Sequence, residues 1–239
     1  MSPDPVSLVC LPFAGGGAGF FRAWRTAPSP AVEVVALQLP GREEQFHLDP
    51  FTDAADAVRA LVPRAAGAAR SGGRIALFGH SLGAVLAYEV AGRLEEEGHS
   101  GLCHLFVSGS PPPWVARRER ITGLGDDAFL RRVEGFAGYR HEAFDDPELR
   151  ELLLPQLRAD VAMHEGYRPS REVPLTVPVT SLRGDRDTLV GREEARAWRA
   201  ATTGPFGYTE LPGGHMYLAD SPVPVLRGVA DACREGSTA

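Results

Sequence analysis

At 239 residues, 44% hydrophobic and 23% charged, the chain has the length and composition of one substantial folded domain and not of a disordered tail. Its formal charge of −6, with no basic stripe, argues against nucleic-acid binding. All 25 basic residues are arginine. The absence of lysine excludes a P-loop, a pyridoxal-phosphate Schiff base and a kinase strand lysine, and the absence of asparagine excludes N-glycosylation and any Asn-dependent triad.

Cys10, Cys103 and Cys233 are odd in number, widely separated and form no C-x-x-C, so neither a disulfide framework nor a zinc site is expected, and no cofactor. Met1-Ser2-Pro3-Asp4-Pro5 lacks a basic n-region, and the apolar stretch Val6–Leu11 is too short for a signal peptide. No run approaches the ~18 apolar residues of a membrane span. The expectation is a reduced, cytoplasmic protein with no membrane partner.

Along the chain, short apolar runs alternate with helical patterns, which predicts an α/β fold with a parallel sheet. The predicted strands are Val6–Leu11, Val32–Leu39, Arg74–Phe78, Leu105–Ser108, Pro178–Leu182 and Tyr208–Leu211. Their brevity and Val/Leu content suit strands buried on both faces. Helices are predicted at Thr52–Arg70, bent or shortened by Pro63 and Gly67, at Leu82–Glu97, at Arg192–Ala201 and at Pro222–Glu235. From Pro111 to Glu172 the alternation stops. Only amphipathic helix pattern is present there, at Ile121–Phe136 and at Asp146–Tyr167, with Pro155 interrupting the second. About sixty residues of helix between two strands exceed what a crossover needs and predict a lid within one domain spanning 1–239.

Gly79-His80-Ser81-Leu82-Gly83 matches G-x-S-x-G, a weak signal alone. Its context is what gives it weight, because the apolar strand Ile75-Ala76-Leu77-Phe78 leads into it and an amphipathic helix follows at once. A strand-to-helix turn tight enough to raise Ser Oγ above a sheet leaves no room for side chains two residues either side. It also aims the N–H of the next residue at a developing oxyanion. Ser81 is therefore the candidate nucleophile. The neighbouring Gly98-His99-Ser100-Gly101 lacks the second spaced glycine and follows a helix.

A serine needs a base. His215, in Leu211-Pro212-Gly213-Gly214-His215, follows the last predicted strand, at the sheet edge where open α/β folds bind ligands. His47, His99, His104, His141 and His164 read as surface or lid residues, and His80 as a side chain that turns away and packs. The acid that orients His215 is expected after Pro178–Leu182, in Gly184-Asp185-Arg186-Asp187-Thr188, where Asp185 and Asp187 compete on equal terms. The loop Leu11-Pro12-Phe13-Ala14-Gly15-Gly16-Gly17 is flexible enough to bring an N–H to an oxyanion. The Ala14 N–H is assigned there, with the Leu82 N–H as its partner.

Taken together, these pieces resemble the discrete type II thioesterases that accompany polyketide and nonribosomal peptide synthases. The resemblance rests on Leu11-Pro12-Phe13-Ala14-Gly15-Gly16 with Trp24, Leu39-Pro40-Gly41-Arg42-Glu43, Gly79-His80-Ser81-Leu82-Gly83-Ala84, Pro155-Gln156-Leu157-Arg158-Ala159-Asp160 and Leu211-Pro212-Gly213-Gly214-His215. It implies an α/β-hydrolase fold with a helical lid. It also selects Asp187 as the acid, with Thr188 where the family usually has proline. The implied activity is hydrolysis of acyl groups from the phosphopantetheine arm of acyl carrier proteins, through a Ser81–His215–Asp187 acyl-enzyme mechanism.

An acyl tunnel is expected from Phe129, Phe136, Leu152, Leu153 and Leu157, with Phe13 and Met216 beside it, although the lid residues equally suit the packing face of their own helices. Trp114 with Arg117, Arg118 and Arg120 offers a carrier-protein docking cluster or an ordinary solvated surface. The rival functions are a generic carboxylesterase or lipase, a chain-terminating cyclase, and a non-catalytic binding module on the same scaffold.

Overall fold

The computed structural model describes residues 5–27, 31–69, 73–115, 120–138, 142–220 and 222–235. Six strands, β1 (Val6–Leu11), β2 (Val32–Ala36), β3 (Ile75–His80), β4 (Leu102–Ser108), β5 (Val179–Gly184) and β6 (Phe206–Leu211), form one parallel sheet in the order β2-β1-β3-β4-β5-β6. All six predicted strands are present, Val6–Leu11 with its predicted bounds and the other five with shifted ends. The helices are α1 (Arg22–Thr26), α2 (Ala54–Ala66), α3 (Leu82–Glu96), α4 (Asp126–Ala137), α5 (Pro147–Gly166), α6 (Arg192–Arg196) and α7 (Val223–Glu235).

The alternation of side chains along the central strands divides the core in two. Val9, Leu11, Ile75, Leu77, Leu105 and Val107 face one cluster with α2 and α3, whereas Leu8, Cys10, Ala76, Phe78 and Phe106 face the other with α1 and α7. Strands β1 and β3 are buried along their whole length, while β2 and β6, at the two edges, are mostly half-buried. The expectation of strands buried on both faces therefore applies to the centre of the sheet.

Strand order reverses at β1, since the chain first adds β2 on one side and then β3 on the other. The register pairs Leu11 with Gly79, so the loop after β1 and the turn after β3 emerge side by side at the carboxyl edge. In open α/β sheets this is where a crevice opens.

Between β4 and β5 the chain builds α4 and α5, which enclose a small core of their own around Ile121, Phe129, Leu130, Leu154 and Leu157. Helix α4 begins at Asp126 and not at Ile121. Gly123 and Gly125 disfavour helix there, and the N–H groups of Ile121 and Thr122 are taken up by the Glu165 carboxylate. Helix α5 is capped by Asp146, whose side chain accepts the N–H groups of Glu148 and Leu149. The predicted interruption at Pro155 does not occur. The helix runs through it, because Leu154, Gln156, Leu157, Ala159 and Asp160 are all buried and their packing outweighs a local cost of about 3 kcal/mol. Helix α2 likewise accommodates Pro63 and stops at the Gly67 cap.

Candidate active site

Strand β3 ends at His80 and α3 begins at Leu82, leaving Ser81 alone to make the turn with φ 53° and ψ −115°. A non-glycine residue held there costs about 1–3 kcal/mol, so the surroundings must impose it. The Ser81 N–H donates to the Ser108 carbonyl at 2.8 Å. A Cβ on Gly79 would meet the Gly83 carbonyl oxygen at 1.9 Å, and one on Gly83 would meet the Leu11 oxygen at 2.3 Å. Both spaced glycines are thus required by backbone contact.

The loop after β5 carries Asp187, and the loop after β6 carries His215. His215 Nδ1 lies 2.9 Å from Asp187 Oδ2, while Asp187 Oδ1 accepts the N–H groups of Leu189 at 2.8 Å and Val190 at 3.1 Å. Burial works against the Asp187 charge, but the hydrogen bonds from His215 and these two amides outweigh it and hold the carboxyl below its ordinary range. Donation from Nδ1–H to the carboxylate leaves the His215 Nε2 lone pair as the basic site. Asp185 contacts the same loop differently, its Oδ1 accepting the Gly213 N–H at 2.9 Å.

His80 is buried, as expected, but its ring lies beside His215 with centroids 4.8 Å apart. Its Nδ1 is 2.8 Å from Ser108 Oγ, which is 2.7 Å from the Tyr217 hydroxyl. Burial first, and then the neighbouring His215, push the His80 pKa well below the usual value, so the ring stays neutral. Gly109 (φ +54°) lies beneath both rings, and a Cβ there would come within 2.4 Å of His80 Cε1 and 3.2 Å of His215 Cε1.

Ser81 and His215 line one cavity of about 520 Å³. Its walls come from the β1 loop (Phe13, Ala14, Gly15), from α4 and the residues around it (Ile121, Leu130, Val133, Phe136, Phe144), from α5 (Leu153, Gln156, Leu157, Val161), and from Leu189, Val190 and Met216. Of the expected acyl-contact residues, Phe13, Phe136, Leu153, Leu157 and Met216 line it. Phe129 does not. It is 0% exposed inside the α4–α5 core, with the Arg158 guanidinium 4.3 Å from its ring centroid. Leu152 is 56% exposed, on the outer face of α5. Val161 and Leu130 went unrecognised, though Leu153, Leu157 and Val161 recur at intervals of four, the spacing of one helix face.

Ala14 lines the cavity, whereas Leu82, 0% exposed, lies in the core directly after the cavity-lining Ser81. As the first residue of α3, Leu82 has no intrahelical partner for its N–H. Among the described residues, no backbone hydrogen bond takes up the N–H of Ala14 or of Leu82.

His47 is exposed, and His164 lies on α5 at the cavity wall. His104 departs from its expected surface or lid position. It is buried in β4, stacked on Phe106 at 4.2 Å and bonded to Thr180 Oγ1 at 2.8 Å. Arg117, Arg118 and His141 lie outside the described residues, while Trp114 and Arg120 are exposed.

The family model for a thioesterase domain matches residues 6–233. Thioesterase PikA5 of Streptomyces venezuelae is 36% identical over 226 residues, covering 95% of this chain and 80% of its own. Among solved structures, the type II thioesterase BorB from the borrelidin biosynthetic cluster is similar with a TM-score of 0.84 at 36% identity, over 97% of this chain and 94% of that one. ClbQ from the colibactin NRPS/PKS pathway gives a TM-score of 0.89 at 30% identity, over 98% and 99%.

Proposed function

The chain belongs to the thioesterase family, as a type II thioesterase of the polyketide and nonribosomal peptide kind, and on that premise we propose that it frees acyl groups from the phosphopantetheine arm of acyl carrier proteins, clearing stalled or mis-primed chains. The observation that carries the reading is the hydrogen bond between His215 and Asp187 at the cavity that Ser81 also lines.

In this reading His215 Nε2 takes the proton of Ser81 Oγ as the oxygen attacks the thioester carbonyl. The N–H groups of Ala14 and Leu82 stabilise the oxyanion. Collapse expels the pantetheine sulfur, which leaves as a thiol with the proton from His215. Water, deprotonated by the same imidazole, then attacks the Ser81 ester and releases the acid. The segment 111–172 acts as a lid within a single α/β-hydrolase domain, and its apolar wall accepts the acyl chain. Among the described residues no helix is long and apolar enough to cross a membrane, and the proposed setting is the cytoplasm, where carrier proteins are loaded.

The test is a panel of acyl-carrier-protein thioesters from acetyl to medium chain, with oxygen esters of the same acyl groups beside them. The reading predicts that the wild type prefers the thioesters and that Ser81→Ala loses turnover. A preference for oxygen esters would point instead to a general carboxylesterase.

A further inference from the structure

The motifs Leu39-Pro40-Gly41-Arg42 and Leu157-Arg158-Ala159-Asp160 meet in space, although 118 residues separate Arg42 from Asp160. Arg42 Nη1 donates to Asp160 Oδ2 and Nη2 to Oδ1, each at 2.8 Å, and the two side chains are 4% and 0% exposed. The pair also holds the loop after β1. The Gly15 N–H donates to Asp160 Oδ2 at 2.8 Å, and Arg42 Nη1 donates to the Gly16 carbonyl at 2.9 Å. Gln156, one turn earlier on α5, donates to the same Oδ2 at 3.4 Å.

We propose that the Arg42–Asp160 pair is a positioning device that carries the placement of helix α5 into the β1 loop and so aims the Ala14 N–H into the cavity. This rests on the reading of Ala14 as an oxyanion donor. In a planar peptide unit C=O and N–H point in opposite directions. The Phe13 carbonyl accepts the Gly16 N–H at 2.9 Å, so the Ala14 N–H is turned the other way. The next peptide unit is fixed by Gly15 donating to Asp160, with Gly15 held at φ +80°. Leu157, beside Asp160 on α5, closes over this loop, and a Cβ on Gly15 would be 3.0 Å from Leu157 Cδ1. Loss of Asp160 would free the Ala14–Gly15 unit inside the Phe13–Gly16 turn and so slacken the turn that directs the Ala14 N–H, while leaving the hydrogen bond between His215 and Asp187 untouched.

A pair holding only the fold together and a pair aiming an amide separate in a crossed comparison, using an acyl thioester of N-acetylcysteamine, which needs no carrier protein. Arg42→Met with Asp160→Leu removes both buried charges and leaves none unpaired, so melting stays close to wild type. Because the loop contact is gone, kcat falls by roughly 10- to 100-fold with KM nearly unchanged. Asp160→Asn does the reverse. It strands the Arg42 charge and lowers Tm by about 10 °C, yet it keeps an acceptor for Gly15 and holds kcat within a few-fold below its transition.

If the double variant retains wild-type kcat, or if kcat simply follows Tm across both, the proposal is overturned. Should the double variant not fold, Asp160→Ala against Asp160→Asn decides, since both strand Arg42 and only Asn accepts from Gly15. An Asn protein at least tenfold faster supports the proposal, and equal rates overturn it. Ala14→Pro separates the two levels. If it keeps full kcat, the donor reading fails and this inference with it. If it loses kcat while the double variant does not, the donor reading stands and the inference alone fails.

Discussion

His215 and Asp187 are joined at 2.9 Å, and the second carboxylate oxygen of Asp187 is occupied by the amides of Leu189 and Val190, so the carboxylate is held on both sides. The Asp185 side chain, two residues earlier, accepts the Gly213 backbone N–H instead. Asp187→Asn, which offers His215 an amide in place of the carboxylate, should lower kcat on an acyl thioester by about 10⁴-fold. Asp185→Asn keeps an acceptor for Gly213 and should stay within about threefold. A loss confined to Asp185→Asn would reassign the acid.

The glycines around Ser81 predict a stability contrast. Gly83→Ala places a methyl group 2.3 Å from the Leu11 carbonyl and Gly79→Ala one 1.9 Å from the Gly83 carbonyl, so each should cost more than about 4 kcal/mol or prevent folding. Gly228→Ala, exposed in α7 with open space around it, should gain up to about 1 kcal/mol. Urea unfolding of the three variants measures this, and a well-tolerated Gly83→Ala would contradict the described turn.

His104 predicts a pH dependence remote from the cavity. Burial first, and then the Arg74 charge, lower its pKa from the ordinary 6.5 to about 4. The unfolded chain binds a proton below pH 6.5 that the folded chain refuses until about pH 4. The stability this residue contributes is therefore complete above 6.5 and is lost as pH falls toward 4, by about 3 kcal/mol. His104→Gln should flatten the stability slope between pH 7 and 4, measured by urea unfolding. Identical slopes in both proteins would contradict the burial argument.

The α4 and α5 side chains differ in whether they reach the cavity. Phe129→Ala should cost about 3–5 kcal/mol and leave the acyl-chain profile unchanged, because its ring lies outside the cavity. Val161→Phe fills part of the cavity and should shift the profile toward short acyl groups with little loss for acetyl. The same panel of thioesters reads both, and a profile moved by Phe129 instead of Val161 would reverse the assignment of walls.

Much of this arrangement was legible in the chain itself. The strands were readable because Val6–Leu11 and Ile75–Phe78 are short, continuously apolar runs, which a sheet covered on both faces demands. The turn at Ser81 was readable because two glycines at fixed spacing stand between an apolar strand and an amphipathic helix. Local pattern fails where distant contacts decide. Pro155 reads as a helix breaker, yet the buried neighbours of α5 keep the helix whole. His104 reads as polar and exposed, but a ring that stacks on Phe106 and bonds Thr180 fits a central strand. Phe129 and Phe136 are both large aromatics on one helix, and only the packing of α5 and Arg158 separates their roles. The meeting of Arg42 with Asp160 has no local trace at all, since it depends on how a loop after β2 and a helix before β5 come together.

The central claim is that Ser81 carries the acyl group during turnover. Rapid quenching of the enzyme during hydrolysis of an acyl thioester, followed by peptide mapping by mass spectrometry, tests it most directly. The account predicts an added acyl mass on the peptide containing Ser81, and in Ser81→Ala neither that adduct nor more than about a thousandth of wild-type turnover. An adduct on another residue, or a Ser81→Ala protein as fast as wild type, would contradict it.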